Sequence, residues 1–197
     1  MRIIAGKFKS RLVYSPKGVE LRPTSDRVKE SLFGILGAFI IDKAVLDLYS
    51  GTGNLGLETL SRGAASCVFV DSNVRCVAAI KQNLKELGIN EGVEVVLKDS
   101  FKYIKDAAEK GAKFDIIFLD PPYYKDMIKK SLILLDYYNI ITNHSVVIAE
   151  HHKRDELPAQ EELTLKGRPS YQLRKGLKNL RLYRQEKYGG TFLSFYK

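Results

Sequence analysis

Short apolar runs alternate with amphipathic stretches from residue 44 to residue 149, and this alternation limits the fold more than any other feature of the chain. AVLDLY (44–49), CVFVD (67–71), VEVVL (93–97), DIIFL (115–119) and SVVIA (145–149) read as strands. Between them the spacing of apolar residues predicts helices over 54–62, 73–87, 101–110 and 125–138, with Gly63 and Gly88 as stops. Strands this apolar need cover on both faces, so the expectation is an α/β fold with a mostly parallel sheet. At the end of the chain, LRLYRQEKYGGTFLSFY (180–196) alternates on either side of Gly189-Gly190, the pattern of an antiparallel hairpin.

The first 42 residues follow a different pattern. Residues 2–14 read as a basic β-hairpin or extended arm with a turn at Pro16 and Gly18, and 24–36 as a helix. Pro23 with Thr24 or Ser25 would start that helix, Val28, Leu32, Ile35 and Leu36 would form its buried face, and Gly37 would end it. The expected organisation is a basic N-terminal extension over 1–42 and a main domain over 43–197, with 151–179 as the one long irregular stretch.

Charge is distributed along the same lines. The 197 residues carry a net charge of +9, with 8 basic and 4 acidic residues over 1–42, 13 and 14 over 43–150, and 11 and 5 over 151–197. A near-neutral middle between basic ends suits chemistry in the core and a polyanion gripped at the edges. Lys7 and Lys9 interrupt the N-terminus before any signal-peptide core develops, and no apolar run approaches membrane-spanning length, so a cytoplasmic location without membrane contact is expected. The two cysteines, Cys67 and Cys76, fall on a strand and a helix and read as small core residues. His151 and His152 are adjacent, so in extended chain they point opposite ways, and no metal site is expected.

Asp47-Leu-Tyr-Ser-Gly51-Thr-Gly53-Asn-Leu-Gly56 lies between the first main strand and its helix, where open α/β sheets bind nucleotides. Asp71, at the end of the next strand and 20 residues past Gly51, stands where a carboxylate accepts hydrogen bonds from ribose hydroxyls. Asp47 separates the possible cofactors, because a carboxylate there would repel a pyrophosphate but help orient the cationic methionine end of S-adenosylmethionine. Asp99, ending the third strand, would face the adenine amino group with Phe101 packed on the ring, although an Asp before a helix also reads as an N-cap.

Asp120-Pro121-Pro122-Tyr123 closes the fourth strand and is the most specific signal in the chain. It resembles the motif with which enzymes methylate exocyclic amino nitrogens of bases or the glutamine side-chain amide. Such a nitrogen has its lone pair delocalised, and acceptors that bind its hydrogens turn it into a nucleophile. Asp120 and the Pro121 carbonyl can be those acceptors, the two prolines stiffen the strand exit, and Tyr123 can stack on an extruded base.

MRIIAGKFKSR (1–11), LRPTSDRVKESLFGIL (21–36), DLYSGTGNLGLETLSRGA (47–64), VFVD (68–71), LDPPY (119–123) and KYGGT (187–191) together resemble the RsmD family of bacterial 16S ribosomal RNA guanine-N2 methyltransferases. The resemblance implies a Rossmann-like class I methyltransferase fold and S-adenosylmethionine as methyl donor. It implies as acceptor a guanine of 16S rRNA, within the small subunit or an assembly intermediate, and nothing requires more than a monomer. It assigns Asp47, Gly51, Gly53, Asp71 and Asp99 to the cofactor and Asp120 to Tyr123 to catalysis. Arg22, Thr24 and Arg27 would close over the cofactor or touch RNA, with capping and surface charge as the plainer alternative. Lys7, Lys9, Arg11, Arg174, Lys175 and Lys178, with Arg181 and Arg184, are candidate phosphate contacts. The competing readings are an adenine-N6 methyltransferase acting on DNA or RNA and a noncatalytic RNA-binding module.

Overall fold

The computed structural model describes residues 1–16, 18, 25–122, 126–138, 140–160 and 176–197. Nine strands and five α-helices are described: α1 (Asp26–Leu36), β1 (Ala44–Asp47), α2 (Asn54–Ser61), β2 (Ser66–Asp71), α3 (Val74–Leu87), β3 (Val93–Leu97), α4 (Ser100–Glu109), β4 (Phe114–Leu119), α5 (Met127–Tyr138), β5 (Ile141–His152), β6 (Ala159–Gln160), β7 (Gly176–Leu177), β8 (Leu182–Tyr188) and β9 (Thr191–Tyr196). Seven strands form one sheet in the order β3-β2-β1-β4-β5-β9-β8, and β6 and β7 pair separately. Pairings of β1 with β2 and β4, and of β2 with β3, are parallel, whereas β9 runs antiparallel to both β5 and β8. No described helix is long and apolar enough to cross a membrane.

The chain forms two compact units, one of Met1–Ser100 with Ile116–Phe118 and one of Phe101–Asp115 with Leu119–Lys197. In the first, β1 and β2 are lined by Val45, Leu46, Cys67, Phe69 and Val70, all fully buried. Ser25 caps α1 by accepting from Val28 N–H, and Asn73 caps α3 by accepting from Arg75 N–H. Gly88 ends α3 in the left-handed region, as expected of a helix stop. The buried face of α1 is Val28, Lys29, Leu32, Phe33 and Leu36, which corrects the expected face at one position. Ile35 is half-buried, while Phe33 packs its ring 6.2 Å from that of Phe118.

Of the hairpin or extended arm expected over 2–14, the structure shows an arm closed by a single antiparallel bridge between Arg2 and Leu12 rather than a pair of strands. Ile3 N–H donates to the Arg11 carbonyl and Val13 N–H to the Met1 carbonyl, and Ile3 and Val13 are buried. Gly6 sits at φ +79° directly over the Ser61 carbonyl, where a Cβ would collide with backbone.

In the second unit β5 extends from Ile141 to His152, well beyond the expected 145–149, so the first residues of the supposed irregular stretch are strand. Val147 to His152 pair in register with Tyr196 to Thr191 of β9, and the turn at Gly189-Gly190 closes the expected hairpin. The buried Asp136 carboxylate of α5 accepts the N–H groups of Lys178, Asn179 and Leu180 at 2.6–3.0 Å, fixing the chain where it enters that hairpin.

Candidate active site

The candidate cofactor residues from Asp47 to Asp99 lie in the first unit. Gly51 and Gly53 both have positive φ, +54° and +82°, so glycine is the residue that adopts this turn without strain. Gly56 meets a different need, since a Cβ there would run into the Phe69 ring and lie 2.8 Å from Cys67 Sγ. The three glycines thus shape the turn and let α2 pack tightly on β2. Ser50 locks the base of the loop, its hydroxyl donating to the Asp47 carbonyl at 2.6 Å and accepting from Val70 N–H at 2.8 Å.

Both strand-end acids are engaged with this loop. One Asp71 oxygen accepts from Gly51 N–H at 2.8 Å and the other from Asn73 N–H at 2.8 Å. Ser72 N–H also bonds this carboxylate, and since a carboxylate has about four lone-pair sites, room remains for a ribose hydroxyl. Burial raises the Asp71 pKa, and the hydrogen bonds from the backbone N–H groups of Asn73, Gly51 and Ser72 oppose that rise. Asp47 is 2% exposed and accepts from Gly56 N–H at 3.0 Å. Its pKa is pushed up to about 7, chiefly by burial and further by Asp71, against the stabilising Gly56 N–H. A buried acid poised near neutrality gains from an adjacent ammonium, which is what the methionine end of S-adenosylmethionine carries. Asp99 is exposed between β3 and α4, and Phe101 is half-buried in the first turn of α4.

The candidate catalytic residues lie in the second unit. Asp120 is half-buried, Pro121 buried and Pro122 exposed, while Tyr123 lies outside the described residues. Pro121 and Pro122 line a cleft whose remaining wall is Asp126, Met127, Ile128, Asp155 and Glu156. Glu156 is paired with Lys129 at 2.9 Å, and Asp155 accepts from His152 N–H at 2.8 Å.

The candidate RNA contacts divide between the units. Lys7, Lys9, Arg11 and Arg27 are exposed in the first, and Arg11 also donates to the Glu86 carbonyl in the last turn of α3 at 3.1 Å. Lys178 is half-buried in the second, and Arg22, Thr24, Arg174 and Lys175 lie outside the described residues. Arg184 is paired with Glu186. His151 is buried against Ser194 Oγ at 2.8 Å with its ring stacked on Phe192, and burial lowers its pKa. Among the described residues no group of three or more His, Cys, Asp or Glu could hold a metal ion.

Sequence reasoning missed the residues that support the glycine loop. Asn83 is buried in α3 and donates to the Thr52 carbonyl at 3.1 Å, and the fully buried Lys29 donates to Asn54 Oδ1 at 3.1 Å. Lys29 carried a readable sign, since it falls one turn before Phe33 and three residues before Leu32 on an apolar helix face. Asn83 had none, its partners being distant backbone atoms.

Residues 1–171 match the family model described as Conserved hypothetical protein 95. The provisionally assigned rRNA methyltransferase YlbH of Bacillus subtilis is 35% identical over all of this chain and 98% of its own length. Ribosomal RNA small subunit methyltransferase D of Escherichia coli K12 is 32% identical over 80% of this chain and 78% of its own length. Among solved structures, the provisionally assigned methyltransferase yhhF of Escherichia coli superposes with a TM-score of 0.81 at 28% identity, covering 100% of this chain and 96% of that one. The architecture is therefore the Rossmann-like class I methyltransferase fold, and the chain belongs to the RsmD family.

Proposed function

We propose that this protein transfers a methyl group from S-adenosylmethionine to the exocyclic N2 of a guanine in small-subunit ribosomal RNA. The observation that carries this reading is the register of the two central strands. Phe118 of β4 lies beside Asp47 of β1, so the strand that ends in the glycine loop is hydrogen-bonded to the one that runs on, two residues later, into Asp120-Pro121-Pro122. Relatives named as small-subunit rRNA methyltransferases support the substrate class.

When bound, S-adenosylmethionine supplies an electrophilic methyl group on a sulfonium. The chain's part is to hold it and to prepare the acceptor. Asp71 has room to accept a ribose hydroxyl, and Gly51 and Gly53 let the backbone approach closely. Asp120 and the Pro121 carbonyl accept the two amino hydrogens of guanine N2, drawing the nitrogen lone pair out of the ring toward the methyl carbon. Asp120 or solvent then takes the proton the nitrogen loses. The prolines contribute rigidity and leave no backbone N–H that would compete for those acceptors. Holding the reactants in line supplies much of the remaining acceleration.

Small ribosomal subunits lacking their own methylation, incubated with methyl-labelled S-adenosylmethionine and digested to nucleosides, test the assignment. The expected product is N2-methylguanosine. Label in N6-methyladenosine would retain the mechanism and overturn the guanine assignment, and absence of label on subunits and on free rRNA would overturn both. Exchanging Lys7, Lys9 and Arg11 for Glu should raise KM for the subunit and flatten its salt dependence.

A further inference from the structure

The N-terminal arm is fastened to the protein by hydrogen bonds that converge on α2 and the glycine loop preceding it. Glu58, fully buried in α2, accepts from Ile4 N–H at 2.8 Å and Ala5 N–H at 3.1 Å. One turn on, Ser61 accepts from Phe8 N–H at its hydroxyl and from Lys7 N–H at its carbonyl. At each end of the arm a buried side chain then joins an arm atom to a loop atom. Lys29 donates from one ammonium to the Arg2 carbonyl at 2.6 Å and to Asn54 Oδ1 at 3.1 Å. Asn83 accepts from Tyr14 N–H at 2.7 Å while its amide donates to the carbonyls of Tyr14 and Thr52, both at 3.1 Å. Thr52 and Asn54 flank Gly53, so the two bridges reach the loop on either side of that glycine.

Neither bridge is what an ordinary core would use. Lysine is almost never fully buried, and Lys29 is 0% exposed. Its ammonium has Glu58 and Asp26 oxygens at 3.9 Å, and its nearest hydrogen-bond acceptors are one arm atom and one loop atom. Asn83, 1% exposed, spends its whole amide on the arm and the loop. Apolar residues of similar size would hold α1 and α3 in place without connecting anything. The bridges also meet a loop that needs setting: Gly53 caps α2 with no side-chain hydrogen bond, and Asn54 Nδ2 is a buried donor with no partner. A shift in the arm would move the arm partners of Lys29 and Asn83, the two side chains that also hold Asn54 and Thr52.

We propose that Lys29 and Asn83 are positioning residues that couple the N-terminal arm to the cofactor loop, so that RNA held by the arm and the cofactor held by the loop strengthen each other's binding. This rests on the functional reading above, in which the arm's exposed Lys7 and Lys9 meet phosphate and the glycine loop takes S-adenosylmethionine. An arm whose phosphate contacts are made stays seated, a seated arm fixes both bridges, and fixed bridges hold the loop in the shape the cofactor needs. Coupling of this kind is reciprocal.

The test is a binding cycle on the full chain with two probes that cannot turn over, S-adenosylhomocysteine and an unmodified small-subunit rRNA transcript. Each is titrated alone by calorimetry, and S-adenosylhomocysteine is then titrated again in the presence of saturating transcript. In the wild type the transcript should tighten S-adenosylhomocysteine binding by about fivefold or more. Asn83→Ala and Lys29→Met should each bring that factor close to one while binding the transcript alone within about twofold of wild type, a result that loss of stability by itself does not produce. An unchanged dissociation constant with and without transcript in the wild type overturns the coupling whether or not the variants fold, as does full coupling retained in both variants. Failure of either probe to bind the wild type alone overturns instead the assignment of loop or arm on which the coupling rests.

Discussion

The glycine loop at Gly51–Gly53 and the strand exit at Asp120–Pro122 are stiffened by opposite means. The loop contains residues chosen for freedom, two of them at positive φ, and its rigidity comes from side chains outside it: Asp71 on Gly51 N–H, Asn83 on the Thr52 carbonyl and Lys29 on Asn54. The strand exit carries its rigidity in its own covalent structure, since each proline ring fixes φ and removes an N–H. The difference follows from the task proposed for each. A loop that must bring backbone close to a ligand cannot carry bulk, so its support has to come from neighbours. A segment that must present bare acceptors to an amine gains by having no donors of its own.

The sharpest way to break this comparison is to remove the acceptor without touching the loop. Asp120→Ala should lower kcat by about 10²–10³-fold, the range seen when one group that stabilises a transition state is deleted. Its dissociation constant for S-adenosylmethionine should match the wild type, because Asp120 is assigned to the acceptor alone. Single-turnover transfer together with calorimetry separates the two quantities. Near-normal transfer by this variant would remove the proposed mechanism.

Packing can be broken in the loop half alone. Gly56→Ala places a methyl against the Phe69 ring and Cys67 Sγ, in the tight contact of α2 on β2. Overpacking of this kind costs about 1–3 kcal/mol, which for a chain of this size lowers Tm by about 2–12 °C. An unchanged Tm would mean that α2 can retreat from β2 freely, and the third glycine would then have no packing role.

These features were unequally visible in the amino-acid sequence. Asp47, Gly51, Asp71 and Asp120 were legible because each stands at the end of an apolar run, and where a strand ends is encoded locally. The extent of β5 was not, because Thr142, Asn143 and His144 are polar and carry no apolar run, whereas the last six residues of the strand are held by β9, 39 to 49 residues further along the chain. Ile35 was placed on the buried face of α1 by its apolarity, while the structure buries the charged Lys29, whose partners Arg2 and Asn54 lie 27 and 25 residues away. Polar residues buried for the sake of distant backbone atoms leave no periodicity to read.

Asp71→Ala tests the support of the loop from the binding side. The variant loses the acceptor proposed for ribose and also leaves Gly51 N–H without its carboxylate. One charge-assisted hydrogen bond contributes about 1.5–3 kcal/mol, so affinity for S-adenosylmethionine should fall about tenfold or more, with transfer from the saturated enzyme nearly intact. Equal losses in kcat and affinity would instead assign Asp71 to the chemical step and erase the division of labour between the halves.

Asp47 gives the smallest effect and the one with a distinctive pH signature. With its pKa at about 7 in the folded chain, above the ordinary carboxylate value, its protonated form is favoured by folding. Its contribution to stability is therefore fully present below the ordinary carboxylate range and is lost as pH rises through about 7. Cofactor binding should run the other way. A cationic methionine end favours the ionised carboxyl, so affinity for S-adenosylmethionine should increase severalfold as pH rises from about 6 to 8, with a proton released on binding. Asp47→Asn keeps an oxygen to accept from Gly56 N–H but cannot ionise, and it should flatten that pH dependence with the fold intact. Calorimetry in buffers of different ionisation enthalpy reads the released proton directly, and a variant that releases it like the wild type would place the titrating group elsewhere.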